Sequence, residues 1–505
     1  METIKEQDYQ TIIPIRILAE QVFSRTAGAP LQEGNSVSIL KDAKENYPAW
    51  IDAISSARDY IHFESYIIHQ DDVGQQFADL LIDKAREGVR VKLVYDWLGS
   101  LTGKTSSRFW KRLTNAGAEV RCFNPPRLDS PLGWLTRDHR KMISVDGNVA
   151  FVTGLCVGRR WVGFPDRSIE PWRDTGVMVR GPAVADIDLA FGQVWAATGD
   201  PLPEDELPDP DSIPAAGDVG LRVVASVPNT GGLYRLDLLI AAMARNSLWL
   251  TDAYFVGATP YIQALCSAAF DGVDVRLLVP GTTDIPVFST ISRTGYHPLL
   301  QAGVRVFEWN GPMIHAKTAV ADGRWARVGS TNLNLASWIG NYELDVAVED
   351  VEFGRNMEEM YLEDLTKATE IVLGKRHRVK PLEKRPGWSR AQRRRGRGSV
   401  GRAGAGALRI GSAVGAAITD HRILGSDEAK IMVAVSVILL GLAVVSVLWP
   451  RWITLPLAFL CAWFSVALVI KAYKLHSSRR REINGVQETG GAEPPEPDRQ
   501  KKDRT

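Results

Sequence analysis

The chain has 505 residues, too many for one ordinary domain, and its 45% hydrophobic and 24% charged content is that of a globular protein rather than a disordered or fibrous one. The net charge of +1 hides an uneven split: residues 1–384 carry 40 Lys/Arg against 50 Asp/Glu, and Arg385–Thr505 carries 20 against 9. An acidic body of net −10 argues against a groove built to hold duplex DNA, and a basic tail of +11 suits an anionic membrane surface. The four cysteines, Cys122, Cys156, Cys266 and Cys461, form no CxxC pair, and no Cys/His cluster has zinc spacing. That fits a reducing compartment, with no metal and no cofactor expected.

In chain order, Met1–Gln10 is polar and mixed in charge, which predicts no cleaved signal peptide. Tyr47–Ile67 (YPAWIDAISSARDYIHFESYI) is an apolar helical pattern leading into an alternating strand, and Gly88–Asp96 (GVRVKLVYD) is a helix-ending glycine followed by a strand. Gly199–Asp218 is rich in Pro and acid and reads as a linker. After it the same order returns: Leu233–Phe255 (LYRLDLLIAAMARNSLWLTDAYF), then Gly272–Pro280 (GVDVRLLVP). Helices alternating with strands predict an α/β fold, and the recurrence predicts an internal duplication.

Matching places of the two halves carry one motif. Residues 139–147 read HRKMISVDG and residues 315–323 read HAKTAVADG, both His-x-Lys-x-x-x-x-Asp. At ordinary residue frequencies only about one His in several hundred is followed this way. Two among eight His, at equivalent points of a repeat, exceed chance. His139 and Lys141 are i and i+2, as are His315 and Lys317, so on a strand each pair shares a face. Asp146-Gly147 and Asp322-Gly323 read as hairpin turns, so those two acids are expected to hold turns rather than to act on substrate. If the halves pack about a pseudo-twofold axis, both pairs can face one cleft. Two ammonium groups and two imidazoles then supply cationic donors, a nucleophile and an acid, a set suited to a phosphodiester.

The C-terminal part reads differently. Ile431–Trp449 and Trp452–Ile470 are uncharged runs separated by Pro450 and Arg451, each long enough at about 1.5 Å per residue to cross a bilayer. They predict a tight transmembrane hairpin. Lys430, Arg422 and Arg393–Arg397 precede it, and Lys471, Lys474 and Arg479–Arg481 follow it. The positive-inside rule therefore puts the body and the C-terminus in the cytoplasm of a two-span cell-membrane protein. Ala407–Leu424 fits an interfacial helix or a plain linker equally, Arg393–Arg397 fits lipid headgroups better than nucleic acid, and Glu482 onward is expected to be disordered.

With these motifs the sequence resembles the phospholipase D superfamily and, within it, bacterial cardiolipin synthases. The resemblance runs from about Gly34 to Lys375 and includes DDVGQQ near Asp71 and GSTNLN at Gly329. It implies two α/β/α lobes with a shared central cleft, followed by the membrane hairpin. The corresponding segments are 1–212 and 213–384 for the lobes, 385–430 for a basic linker, 431–470 for the hairpin and 471–505 for a charged tail. The resemblance also implies that His139 attacks phosphorus to form a phosphohistidine while His315 protonates the leaving alcohol. Asn332 with Lys317 would bind phosphate, Glu343 would orient His315, and Asp174 would orient His139. The family commonly has Gly-Gly-x-Asn where this chain has Thr153-Gly154-Leu155-Cys156, so a thiol replaces a phosphate-binding amide; Asn334 stands where Asp is common. Cys156 is expected to be a packed small residue.

The activity implied is phosphatidyl transfer forming cardiolipin, with phospholipids and the bilayer as partners and no nucleic acid expected. Hydrolysis of phospholipid by the same intermediate and phosphodiester cleavage in nucleic acid are the alternatives. Asp96 and Asp284 follow strands at the ends where α/β folds place ligand loops, although capping is their ordinary use. Trp161, Trp172, Trp325 and Trp338 flank the motifs, with core packing as their default.

Overall fold

Seven strands in the first half and seven in the second are laid down in the same order. In the first lobe these are β1 Gln32–Lys41, β2 Tyr60–Ser65, β3 Arg90–Asp96, β4 Glu119–Phe123, β5 Lys141–Val145, β6 Val149–Thr153 and β7 Thr175–Arg180. In the second they are β8 Val219–Ser226, β9 Ser247–Thr251, β10 Asp274–Pro280, β11 Arg305–Trp309, β12 Thr318–Ala321, β13 Trp325–Gly329 and β14 Glu343–Glu349. Two further strands, β15 Ala368–Leu373 and β16 Val379–Pro381, extend the second lobe. The spatial orders are β1-β7-β6-β5-β2-β3-β4 and β8-β14-β13-β12-β9-β10-β11. β2, β3 and β4 run parallel, as do β9, β10 and β11, and the rest pair antiparallel.

The computed structural model describes residues 15–127, 135–284, 292–293, 295–373 and 379–381, with scattered positions from 436 to 473. The polar start, the basic linker 385–430 with Arg393–Arg397 and Ala407–Leu424, and the tail beyond Tyr473 lie outside the described residues.

Antiparallel pairing of β1 with β8 joins the lobes into one sheet. Asn35 stands at this junction with no exposure; its amide donates to Gln32 O at 2.8 Å, and its oxygen accepts from Ala183 N at 2.9 Å. Every residue of β2, β5 and β6 is buried, as strands covered on both faces require. One cover is the helix Ala183–Thr198, whose Val184, Ile187, Phe191, Val194 and Trp195 form an apolar stripe at helical spacing. On that side a single apolar cluster crosses the lobe boundary, joining Val177, Val179 and Phe191 to Leu221, Val346 and Met357. On the opposite side each lobe keeps its own core: the helices Asp42–Ser56 and Asp72–Arg86 over the first lobe, and Gly232–Met243 and Thr259–Phe270 over the second.

The segment read as a linker is not wholly solvated. Glu206 has no exposure; it accepts from Lys92 Nζ at 2.7 Å and lies 3.1 Å from His62 Nε2, while His62 Nδ1 lies 2.8 Å from Asp188. An acid-rich segment can fold back when buried cations meet its carboxylates.

The described positions from Ser436 to Tyr473 belong to a second compact unit. Most described positions from Ser436 to Tyr473 are helical, and Val437, Leu440, Leu448, Leu455, Phe459 and Leu468 are exposed there. Among the described residues no helix is long and apolar enough to cross a membrane, which departs from the hairpin expected over 431–470.

Candidate active site

His139 lies in the extended lead-in to β5, whose first residue is Lys141, paired with Ser65, whereas His315 and Lys317 both lie in the lead-in to β12. The lead-ins are held by the opposite lobe. His139 N donates to Tyr342 O at 2.9 Å and Tyr342 N to Arg137 O at 2.9 Å; on the other side His315 N donates to Arg173 O at 2.7 Å and Arg173 N to Met313 O at 3.0 Å. These are short parallel bridges, Asp138 with Tyr342 and Arg173 with Ile314. In each pair the Lys ammonium donates to the carbonyl oxygen of its own His, so both side chains fall on one side.

The bridges decide which acid meets which imidazole. Glu343 Oε2 is 2.9 Å from His139 Nδ1, and Asp174 Oδ2 is 2.8 Å from His315 Nδ1. This reverses the pairing implied by the family resemblance, in which each acid served the His of its own lobe. The acid follows directly after the residue that bridges to the other lobe's motif, so its side chain reaches the opposite ring. Both carboxylates are fully buried and have further donors: Ser330 Oγ at 2.6 Å on Glu343, and Trp161 Nε1 at 3.0 Å on Asp174.

Burial dominates the electrostatics. It pushes His139 down to about 4 against the pull of Glu343, with Lys141 and Lys317 adding to the depression. It pushes His315 down to about 3, helped by Lys317 and opposed by Asp174. Lys317 itself is lowered to about 8 by burial, with Lys141 adding and Asp174 opposing. Although burial raises them, Asp174 and Glu343 end below the ordinary carboxylate range, because His315 and Lys317 act on the first and His139 and Lys141 on the second. At neutral pH burial favours two neutral imidazoles, each with Nδ1 against a carboxylate, and Lys317 Nζ stands 3.2 Å from His315 Nε2.

Asn332 is 4% exposed, and its Oδ1 has no hydrogen-bond partner. Cys156 occupies the matching place of the first motif, 17 residues after its His, and packs in the first lobe's core; burial raises its thiol pKa against the pull of Lys141 and Lys317. Asn334 caps Ser337 N at 3.0 Å and donates to Tyr254 O at 3.0 Å. Asp146 and Asp322 lie at hairpin turns with φ of 53° and 52°. Asp146 accepts backbone N–H bonds from Arg58, Asp59 and Tyr60, and Asp322 from Arg245, Asn246 and Ser247, all between 2.7 and 2.9 Å. Asp96 caps Leu98 N and Gly99 N and also accepts from Asp138 N at 3.1 Å, anchoring the first motif.

The four tryptophans divide. Trp325 and Trp338 sit in the second lobe's core, whereas Trp161 and Trp172 lie 5.7 and 5.6 Å from the His315 ring. Sequence reasoning missed Arg140, the variable residue of the first motif. It is fully buried and donates to Glu343 O at 3.1 Å, Ser226 O at 3.1 Å and Ala190 O. It missed Arg173 as well, which joins Asp364 at 2.9 Å to Asp42 at 3.2 Å across the lobes. A charged residue flanked by site residues was the available signal in both cases.

The arrangement can hold a phosphoryl group between two lysines, with one imidazole on each side. The family model described as "Cardiolipin synthase, PLD-like domain" matches residues 50–186 and 239–365. A cardiolipin synthase of Alkalihalophilus pseudofirmus is 34% identical over 346 residues, which is 68% of this chain and 68% of that one. One from Geobacillus sp. (strain WCH70) is 32% identical over 355 residues, 70% of each chain. The crystal structure of phosphatidylserine synthase from Haemophilus influenzae Rd KW20 has the same fold, with a TM-score of 0.54 at 12% identity over 70% of this chain and 91% of that one. The chain belongs to the PLD-like cardiolipin synthase family.

Proposed function

We propose that this chain is a phosphatidyltransferase that forms cardiolipin from two glycerophospholipids through a phosphohistidine. The observation that carries the reading is the pair of buried, crossed acid–imidazole couples, His139 with Glu343 and His315 with Asp174, beside Lys141 and Lys317. His139 Nε2 attacks phosphorus, the P–O bond to the headgroup alcohol breaks, and His315 gives its proton to the departing oxygen. Bound phosphodiester, an anion beside His315, favours the imidazolium needed for that step. In the second half His315 takes the proton of the acceptor hydroxyl, that oxygen attacks phosphorus, and the P–N bond breaks to restore His139. The ammonium groups of Lys141 and Lys317, with the Asn332 amide, face the charge on the equatorial oxygens.

The bilayer is the proposed location. The uncharged runs within 431–470 and the exposed apolar side chains at their described helical positions support an anchor that holds the body at lipid, with body and C-terminus cytoplasmic. The acidic body gives nucleic acid no support as substrate.

The test is the purified full chain with labelled phosphatidylglycerol in mixed micelles, products resolved by mass. Cardiolipin and free glycerol are expected. Phosphatidic acid as sole product would replace transfer by hydrolysis. Retention in the membrane fraction through a carbonate wash, lost on deleting residues 431–505, checks the anchor.

A further inference from the structure

The two imidazoles have different surroundings. Among the described residues, His139 has the Tyr66 ring at 5.0 Å, whereas His315 has three aromatic neighbours: Trp161 at 5.7 Å, Trp172 at 5.6 Å and Tyr254 at 5.9 Å. The half-buried Trp172 ring carries the Arg160 guanidinium 5.3 Å from its centroid. Arg160 belongs to the first lobe, on the short helix Arg159–Val162, and its Nη1 lies 3.9 Å from Asp284 Oδ2, just past β10 of the second lobe. Tyr254 donates its hydroxyl to Asp284 Oδ1 at 3.0 Å. Ala253, Val256 and Met313 form a small apolar cluster with Tyr254 and Trp172. A carboxylate and a guanidinium thus meet across the lobes beside one imidazole, against aromatic walls. Their separation is too long for a direct hydrogen bond.

We infer that Arg160, Asp284, Trp172 and Tyr254 form a binding subsite for a short neutral polyol, which is the glycerol headgroup of the lipid whose hydroxyl meets His315. The inference rests on the transfer reading above. A vicinal diol matches this group: hydroxyls donate to the Asp284 carboxylate and accept from the Arg160 guanidinium, and the carbon edges pack on the Trp172 and Tyr254 rings. An ammonium headgroup does not match, although aromatic walls and an acid are otherwise suited to cations. Arg160 already balances Asp284, and Lys317 Nζ stands 3.2 Å from His315 Nε2, so a further cation is repelled. Because His315 serves the leaving alcohol first and the acceptor alcohol second, the same subsite takes both in turn.

The experiment uses the full chain with a phosphatidyl donor whose leaving group is p-nitrophenol, which makes no polyol contact. Acceptors are phosphatidylglycerol, glycerol, ethanolamine or water alone. The wild type is expected to transfer to glycerol at least about tenfold better than to ethanolamine, the factor set by one hydrogen bond to a charged group. Arg160→Gln and Asp284→Asn are expected to lower the ratio of cardiolipin to phosphatidic acid by about tenfold, whatever their total turnover. A structural defect would lower both products together, so a parallel fall or an unchanged ratio overturns the subsite. If Asp284→Asn does not fold, the more exposed Arg160→Gln and the wild-type acceptor preference still decide it. Equal use of glycerol and ethanolamine overturns the inference. A wild type that forms only phosphatidic acid with every acceptor overturns the transfer reading itself.

Discussion

The crossed acid–imidazole couples make Glu343→Gln and Asp174→Asn inequivalent in a defined way. Glu343 holds His139 Nδ1 at 2.9 Å in a fully buried position, and Gln is nearly the same size without the charge. A hydrogen bond to a charged buried group contributes roughly 2–3 kcal/mol, so the variant should lose about 30- to 150-fold in the step where His139 gains positive character. With His139 as nucleophile, that step is formation of the phosphohistidine. The assay is a rapid-quench burst with the nitrophenyl donor, whose leaving group needs little protonation. Glu343→Gln should slow the burst by that factor. Asp174→Asn should slow it far less and act on the later, proton-demanding transfer, because Asp174 serves His315 at 2.8 Å. A burst lost in Asp174→Asn and kept in Glu343→Gln would exchange the roles of the two histidines. Losses under threefold in both variants would refute the view that these acids orient the rings.

With the nitrophenyl donor, whose departure needs little proton from His315, the pH profile should be broad on the acid side, because burial holds His139 near 4 and keeps the nucleophile neutral through the usual histidine range. On the alkaline side Lys317, lowered by burial to about 8, is cationic below that pH and neutral above it, so kcat/KM should fall above about pH 8. Lys317→Arg, which does not titrate there, should flatten that limb; an alkaline limb unmoved in an active Lys317→Arg would assign it to another group. Arg140→Met should lower the melting temperature by roughly 5–10 °C, since it strips donors from buried carbonyls of Glu343, Ser226 and Ala190 and leaves Lys141 alone to offset the buried Glu64 and Asp138. A shift under 2 °C by calorimetry would refute that stitching role. Activity should survive EDTA, because Lys141 and Lys317 supply the charge that faces phosphate; full loss restored by one metal would overturn this.

Much of the molecule was legible in the sequence because the signals are local. The order of helix and strand in Tyr47–Ile67 returns in Leu233–Phe255, and it builds two halves of one sheet with the same strand order. The Asp-Gly pairs at 146–147 and 322–323 take positive φ at both residues, inside tight hairpin turns closed by Asn148 N on Val145 O and Arg324 N on Ala321 O. The i, i+2 spacing puts each Lys beside its own His, because extended backbone alternates sides whether or not it is paired in a ladder.

What the tertiary structure alone decided is how the halves meet. Whether Glu343 orients His139 or His315 depends on which segment lies alongside each lead-in, and the bridges Asp138–Tyr342 and Arg173–Ile314 cross between lobes. No periodicity within one half encodes a contact made by the other. The same reason hid Arg140 and Arg173, whose partners stand on both lobes; Glu206 was hidden by distance within one lobe, since it reads as solvated linker until Lys92 and His62 are brought to it. The crossing between lobes also hid the difference between the two imidazoles. The motifs are alike, but Trp161, Trp172 and Tyr254 gather around His315 only once both lobes are in place. Sequence specifies each half through interactions between near neighbours in the chain, and the site lies where distant residues close on one another.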